Sequence, residues 1–165
     1  MTLYRQITAN ASAHLLSAVS SWSALEHLHL SNISFPIPLT LPSPSSDPLS
    51  ISPLLPKALP KLETITLTQA TALSPGSIAA FLSFPDTKKL RRIHLVDAYE
   101  VSIWGKRLRR ADVEKAAERL AQAIGEGEAI VETRIARVRE VVLCEARLER
   151  IIGGDRVEGE MRVLE

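Results

Sequence analysis

The chain has 165 residues, of which 45% are hydrophobic and 24% charged, a balance that allows one buried core and excludes a wholly disordered protein. Its 20 Lys and Arg residues nearly cancel its 19 acidic residues, so the net charge of +1 excludes a global field that would draw the chain to nucleic acid or anionic membranes. A single cysteine, Cys144, excludes an intramolecular disulfide and a zinc site built of cysteines, as is usual in a reducing compartment.

The first segment is predicted to form a helix, because apolar residues recur every four positions in residues 2–20. The predicted stripe is Leu3, Ile7, Ala11, Leu15 and Val19. The same segment contains Arg5 and no acid, which is also typical of a mitochondrial presequence, but one arginine favours an ordinary helix. No stretch reaches the roughly 18 apolar residues of a membrane span. We therefore expect an intracellular protein, cytoplasmic or nuclear, that makes no membrane contact.

Three later segments share one apolar frame, in which the first, fourth and sixth residues are aliphatic. They are Leu25-Leu28-Leu30, Leu62-Ile65-Leu67 and Leu90-Ile93-Leu95, and a weaker copy is Val138-Val141-Leu143. Recurrence of one short frame predicts an α/β fold, a short irregular leucine-rich-repeat solenoid in which a curved parallel sheet has helices on its convex side. We interpret residues 1–165 as a single domain of this kind.

Between the first two predicted strands, residues 34–60 hold eight of the 10 prolines and a serine cluster. Proline removes a backbone donor and biases its predecessor to extended geometry, so we predict an inserted loop. Pro53-Leu54-Leu55-Pro56 also matches a proline-rich ligand motif, and Ser43 and Ser52 precede prolines as phosphorylation sites would. An inter-repeat loop is the favoured interpretation.

Two further helices are predicted after the second and third strands. Ser74 can cap the first of these helices. Pro75 follows it at the first helical position, where the backbone N–H that proline lacks has no partner within the helix. Residues 111–124 combine helical spacing of apolar residues with good helix formers, and Gly125 is the expected stop.

The region 128–152 allows two interpretations. Val131, Ile135, Val138 and Val142 have helical spacing, whereas the run 141–143 suits a strand. We favour a strand from Val138 onward as the fourth member of the sheet. Residues 144–165 are predicted to cap the domain as a β-hairpin around residues 153–155, with Ile151 opposite Val157.

The alternation of a strand predicts which residues face solvent on the concave side of the sheet, because neighbours along a strand point to opposite faces. Three rows should cross that face. The first reads His27, Thr64, Arg92 and Glu140, the second His29, Thr66, His94 and Val142, and the third Ser31, Thr68, Val96 and Cys144. Such a mixture suits recognition of a polar protein surface.

The four frames start at residues 25, 62, 90 and 138, so their intervals are unequal. This pattern of strands with helical crossovers of variable length resembles the leucine-rich-repeat portion of F-box proteins, particularly the divergent families of mushroom-forming fungi. Residues 22–24 and 59–61, which precede the first two strands, contribute to the resemblance. The resemblance covers residues 22–143. It implies that the repeats select a substrate for ubiquitin ligation. No F-box pattern precedes Leu25, so the resemblance implies either the substrate-recognition end of a ligase adaptor alone or a truncated gene product.

Catalysis and metal binding have little support in the sequence. His27 and His29 share a strand face as zinc ligands can, but His94 would lie two strands away, at about 10 Å. Gly153-Gly154 lacks the rest of a phosphate-loop motif, and no serine stands in a hydrolase-type elbow. We expect no enzyme, no cofactor and no metal.

A basic cluster supports an alternative function, association with nucleic acid, because cations bind phosphates. Its members are expected to share one edge of the domain: Lys88, Lys89, Arg91, Lys106, Arg107, Arg109 and Arg110. Only Tyr99 and Trp104 are aromatic there, and Asp97 and Glu100 dilute the field. The sequence therefore favours a non-catalytic protein-protein interaction module over a nucleic-acid-associated protein.

Overall fold

The structure is a computed structural model that describes residues 9–35, 53–57, 59–147, 151–152 and 155–156. In these ranges the helices are α1 (Ala9–Val19), α2 (Pro75–Leu82), α3 (Arg110–Ala123) and α4 (Glu128–Val141), with a 3-10 helix at Pro85–Lys89. The strands are β1 (His27–Ser31), β2 (Thr64–Thr68), β3 (Arg92–Val96), β4 (Val142–Glu145), β5 (Ile151–Ile152) and β6 (Asp155–Arg156). This is a mixed α/β fold, as predicted.

The first four strands form one parallel sheet in the order β1-β2-β3-β4. Leu28 lies opposite Ile65, Ile65 opposite Ile93, and Ile93 opposite Val142. All four are buried and belong to one hydrophobic core. The first three predicted strands are therefore confirmed, and their central apolar residues are neighbouring rungs of a single ladder.

The chain leaves three successive strands through the same backbone turn. Asn32, Gln69 and Asp97 each follow the last residue of a strand, and each has left-handed geometry, with φ of 54°, 53° and 49°. Each backbone N–H donates to the carbonyl that ends the next strand, at 2.9, 2.8 and 2.9 Å. Three units thus share a backbone conformation as well as an apolar frame.

The predicted capping residues mark the start of α2 and the end of α3. Ser74 accepts a hydrogen bond from the amide of Gly76 at 3.2 Å at the start of α2, and Gly125 follows α3 with φ of 72°. The prediction for α1 is partly wrong, because Ala11 is exposed whereas Leu16 and Val19 are buried. Residues 1–8 lie outside the described residues. Buried residues of α2, α3 and α4 complete the core beneath the sheet.

The predicted strand beginning at Val138 is wrong, since α4 continues to Val141. The helical interpretation is correct here for two reasons. Val138 and Val141, three residues apart, are both buried in the core. Arg137 Nη2 also donates to the carbonyl of Leu90 at 2.6 Å, which holds α4 against the start of β3. The strand therefore begins at Val142, one residue out of phase with the predicted frame. This reverses which residues of β4 point into the core.

Two peripheral predictions are resolved in part. β5 and β6 pair antiparallel, but Ile151 lies opposite Arg156 rather than Val157, because Ile152 pairs with Asp155. The rest of the predicted hairpin, and residues 36–52 of the proline-rich loop with Ser43 and Ser52, lie outside the described residues.

The described part of the proline-rich loop belongs to the core. Leu54 and Leu55 are buried, and the amide of Leu54 donates to the carbonyl of Ser77 at 2.9 Å. The central residues of the PxxP motif are thus turned inward, which is unfavourable for an exposed polyproline ligand.

Within the described ranges, no helix has the length and apolar character needed to cross a bilayer.

We predict that Ile65→Asp unfolds the domain, because Ile65 is 0% exposed at the centre of the ladder and an unpaired buried charge cannot be solvated. Thr66→Asp is the matched control, since Thr66 is the next residue of β2 and is half-buried on the opposite face. Circular dichroism and thermal melting should show lost structure for the first variant only. Equal melting temperatures for both variants would contradict the orientation of β2.

Candidate functional site

One face of the parallel sheet is not covered by helices among the described residues, and we call it the open face. It exists because alternate residues of each strand point away from the core. Its members are His27, His29, Ser31, Thr64, Thr66, Thr68, Arg92, His94, Val96, Leu143 and Glu145, of which Val96 is buried. Polar groups predominate, and His27, His29 and Arg92 are the most exposed of the large side chains.

The rows predicted from the sequence are present across the first three strands. His27 lies opposite Thr64, which lies opposite Arg92, and the next row reads His29, Thr66, His94. In β4 the row continues with Leu143, not with Val142, which is buried.

Glu140 was predicted to complete the first row and does not lie on the sheet. It is exposed on α4, where its Oε2 accepts a hydrogen bond from Arg137 Nη1 at 2.8 Å. The reason is the one-residue shift of β4, since α4 still contains the position that the predicted frame assigned to the strand. Six of the eight residues predicted for these two rows are thus brought together, and Glu140 and Val142 are not.

Side-chain contacts between β1 and β2 hold this part of the face in one arrangement. His27 Nδ1 lies 2.8 Å from Thr64 Oγ1. His29 Nε2 lies 3.3 Å from both Thr68 Oγ1 and Ser31 Oγ. The imidazoles are therefore positioned before any partner arrives, which lowers the entropic cost of binding.

The other half of the face ends in a charged network at the C-terminal edge of the sheet. Glu145 of β4 connects His94 of β3 with Arg147, which follows β4. His94 Nε2 lies 2.8 Å from Glu145 Oε2, and Arg147 Nε donates to Glu145 Oε1 at 2.6 Å. The hydrogen bond from Arg147 lowers the pKa of Glu145, burial opposes that shift, and His94 adds to the lowering.

The network continues through the buried carboxylate of Asp97, the residue that follows β3. The backbone N–H of Arg147 donates to Asp97 Oδ1 at 3.1 Å, and Arg107 Nη2 is 3.3 Å from the same oxygen. Leu143, Glu145 and Arg147 are site residues that the sequence did not reveal. Shifting the frame of β4 by one residue would have revealed the first two.

The basic residues do not share one edge. Lys88 and Lys89 precede β3 in the 3-10 helix, whereas residues 106–110 follow it, so that a five-residue strand of roughly 16 Å lies between the groups. Several cations also have carboxylate partners: Arg91 with Glu63, Lys106 with Asp112, Arg107 with Asp97 and Arg110 with Glu114. The field available to a phosphate backbone is correspondingly weak.

His94 lies apart from the two histidines that were considered with it as zinc ligands. His29 and His94 are separated by Thr66 in their row, hence by two strand spacings of about 4.8 Å each. No three His, Cys, Asp or Glu residues within the described ranges are grouped so that they could hold a metal ion.

Comparisons with protein-family models, with curated proteins and with solved structures found no match to this chain. The chemistry of the open face is therefore the guide to function. It offers imidazole, hydroxyl and guanidinium groups on a regular sheet, which can recognise the polar groups of another surface.

We predict that Glu145 makes stability depend on pH. Because its folded-state pKa is lowered from 4.5, its ion pairs stabilise the fold above that value, and the stabilisation is lost as the pH falls through the lowered pKa. The unfolding free energy of the wild type, minus that of Glu145→Gln, should be positive at neutral pH and should shrink as acidification takes the pH from above 4.5 to below the lowered pKa of Glu145. A difference that stays constant over this range would contradict the network.

Proposed function

We propose that this protein is a non-catalytic protein-protein interaction module, a short irregular leucine-rich-repeat solenoid that binds its partner on the open face. The observation that carries the proposal is the sheet itself. Its inward residues bury one ladder, and the same registration sets His27, His29, Arg92 and His94 in rows on the other side. The shared turn after three strands supports a repeat architecture.

The size of the open face indicates how a partner would bind. Four strands spaced about 4.8 Å apart, each of about five residues, cover roughly 300 Å². A typical stable interface buries about 800 Å² on each partner. A partner would therefore contact the open face together with loops beyond an edge of the sheet.

The resemblance to F-box proteins gives this module a cellular role within the proposal. The open face would select the substrate of a ubiquitin ligase, as the substrate-recognition end of an adaptor. Association with nucleic acid has less support, because the basic residues lie at both ends of β3 and several are paired with carboxylates.

The proposal predicts that a double variant, His29→Ala with Arg92→Ala, loses at least about tenfold in affinity for the partner, equivalent to about 1.4 kcal/mol. Both residues are exposed, so the fold should be retained. The wild-type and variant proteins would be immobilised, and quantitative mass spectrometry would compare the amount of partner protein that each retains. The wash would contain about 0.5 M salt, at which contacts between exposed charges are screened.

A matched control is Glu118→Ala with Arg119→Ala, two exposed residues of α3 on the helical side. It should retain the partner at the wild-type level. Equal loss in both double variants, or equal retention in both, would contradict the open face as the binding surface. Binding of a fluorescent oligonucleotide that collapses with salt would favour the nucleic-acid alternative.

A further inference from the structure

The chain between β3 and α3 forms a braced loop, residues 100–106, which we call the Trp104 loop. Its base is an antiparallel bridge between Tyr99 and Arg107, and the amide of Glu100 donates to the carbonyl of Lys106 at 3.2 Å. Tyr99 is buried, and its amide donates to the carbonyl of Ala70 at 2.8 Å. The base of the loop is therefore part of the fold.

The base is reinforced by charge. Arg107 lies over the ring of Tyr99, 5.9 Å from its centroid, and its Nη2 reaches the buried Asp97. Asp97 is the carboxylate that also accepts from the amide of Arg147. The loop and the C-terminal edge of the open face thus share one network.

The tip of the loop presents apolar side chains to water. Trp104 is 76% exposed, Val101 68% and Ile103 46%, which makes three of the six large hydrophobic residues that are exposed among the described residues. A turn sets the tip, since the amide of Gly105 donates to the carbonyl of Ser102 at 2.8 Å. A Cβ at Gly105 would lie 3.2 Å from that carbonyl oxygen, so the tight turn favours glycine.

A loop with a hydrogen-bonded base and an exposed tryptophan has the properties of an interaction anchor. Tryptophan is enriched among residues that dominate interface energies, and it acts by filling a desolvated pocket. Because the loop is already ordered, little conformational entropy would be lost when a partner binds it. Interaction with a partner explains why three apolar side chains face solvent within four residues.

The charges around the tip define the partner's chemistry. Lys106 and Arg109 are exposed beside it, and Lys106 is positioned by Asp112, whose Oδ1 lies 2.5 Å from its ammonium nitrogen. Burial raises the pKa of Asp112, but the hydrogen bonds from Lys106 and from the amide of Arg109 outweigh it and lower that pKa. A complementary surface would therefore carry an apolar pocket whose rim is acidic where it faces Lys106 and Arg109 and not acidic where it faces exposed Glu100.

A second copy of this chain suits the loop poorly. The surface pocket between α2, α3 and α4 has a volume of about 270 Å³ and apolar walls that include Leu82 and Ile130. Arg134 and Arg137 also line it, each paired with a carboxylate, and no acidic residue is among its described lining residues, so the pocket offers no acidic rim to the loop. A membrane surface suits it poorly too, because exposed Glu100 precedes Val101 and would be drawn towards the lipid.

We propose that the Trp104 loop is a second protein-binding element, in which Trp104 and Ile103 enter an apolar pocket of a protein partner while Lys106 and Arg109 contact acidic residues on its rim. It lies outside the rows of the open face, so this inference does not depend on the proposed function. It supplies contact area beyond the edge of the sheet.

A peptide-display selection tests the proposal directly. A random peptide library would be selected on the full chain and then counter-selected on Trp104→Ala. The enriched peptides should combine acidic with large apolar residues. Their affinity should fall at least about tenfold for Trp104→Ala and for Lys106→Glu with Arg109→Glu. Trp22→Ala is the matched control, since Trp22 is 53% exposed elsewhere on the surface, and it should bind like the wild type.

A spectroscopic measurement locates the contact. In a Trp22→Phe background Trp104 is the one remaining tryptophan of the chain, and its emission should shift to shorter wavelength when an enriched peptide binds. Four results would overturn the proposal: no enriched acidic peptide, equal binding to Trp104→Ala, a shift only with phosphatidylserine-containing vesicles, or a Trp104-dependent dimer in light scattering. Loss of binding in the open-face double variant but not in Trp104→Ala is a case of the second result, because the peptides would then bind the other surface.

Discussion

Burial of the ladder formed by Leu28, Ile65, Ile93 and Val142 is the interaction on which the rest of this structure depends. Each such side chain contributes roughly 1.5 to 3 kcal/mol when it leaves water, whereas an exposed ion pair contributes about 0 to 1 kcal/mol. The apolar side of the sheet is therefore fixed first. Since strand residues alternate, the same choice determines which polar side chains face outward, and the open face is a consequence of the core.

The C-terminal edge of the sheet joins the two surfaces that we propose for binding. His94 belongs to the open face, and Asp97 lies three residues further along, at the base of the Trp104 loop. Glu145, Arg147 and Arg107 connect the two through hydrogen bonds and ion pairs. A protein partner that crosses this edge would meet polar groups first and an apolar anchor next, which is how a small sheet could support a full interface.

The parts of the fold that follow from short-range periodicity could be predicted from the sequence. The LxxIxL frames place β1, β2 and β3 and their register, and Ser74 and Gly125 mark helix ends, because these features depend on neighbouring residues. The phase of β4 could not be predicted, since Val138 and Val141 satisfy both a helical and a strand pattern. Tertiary contacts of α4 decide between them, and Glu140 moves off the face as a result.

Features that depend on the path of the chain in space were also missed. Lys89 and Lys106 are near in sequence, but a parallel strand carries the chain from one end of the sheet to the other between them. The exposure of Trp104 has the same origin, because the Tyr99–Arg107 bridge turns the loop away from the core. Nothing in the local sequence distinguishes this tryptophan from a buried one.

Backbone nuclear Overhauser effects across the sheet test the central claim most directly, because they measure strand registration without relying on a variant. The account predicts cross-strand contacts that link Leu28 to Ile65, Ile65 to Ile93, and Ile93 to Val142. A contact pattern that places Val141 opposite Ile93, or one in which these residues have no cross-strand neighbours, would contradict the ladder and with it the open face.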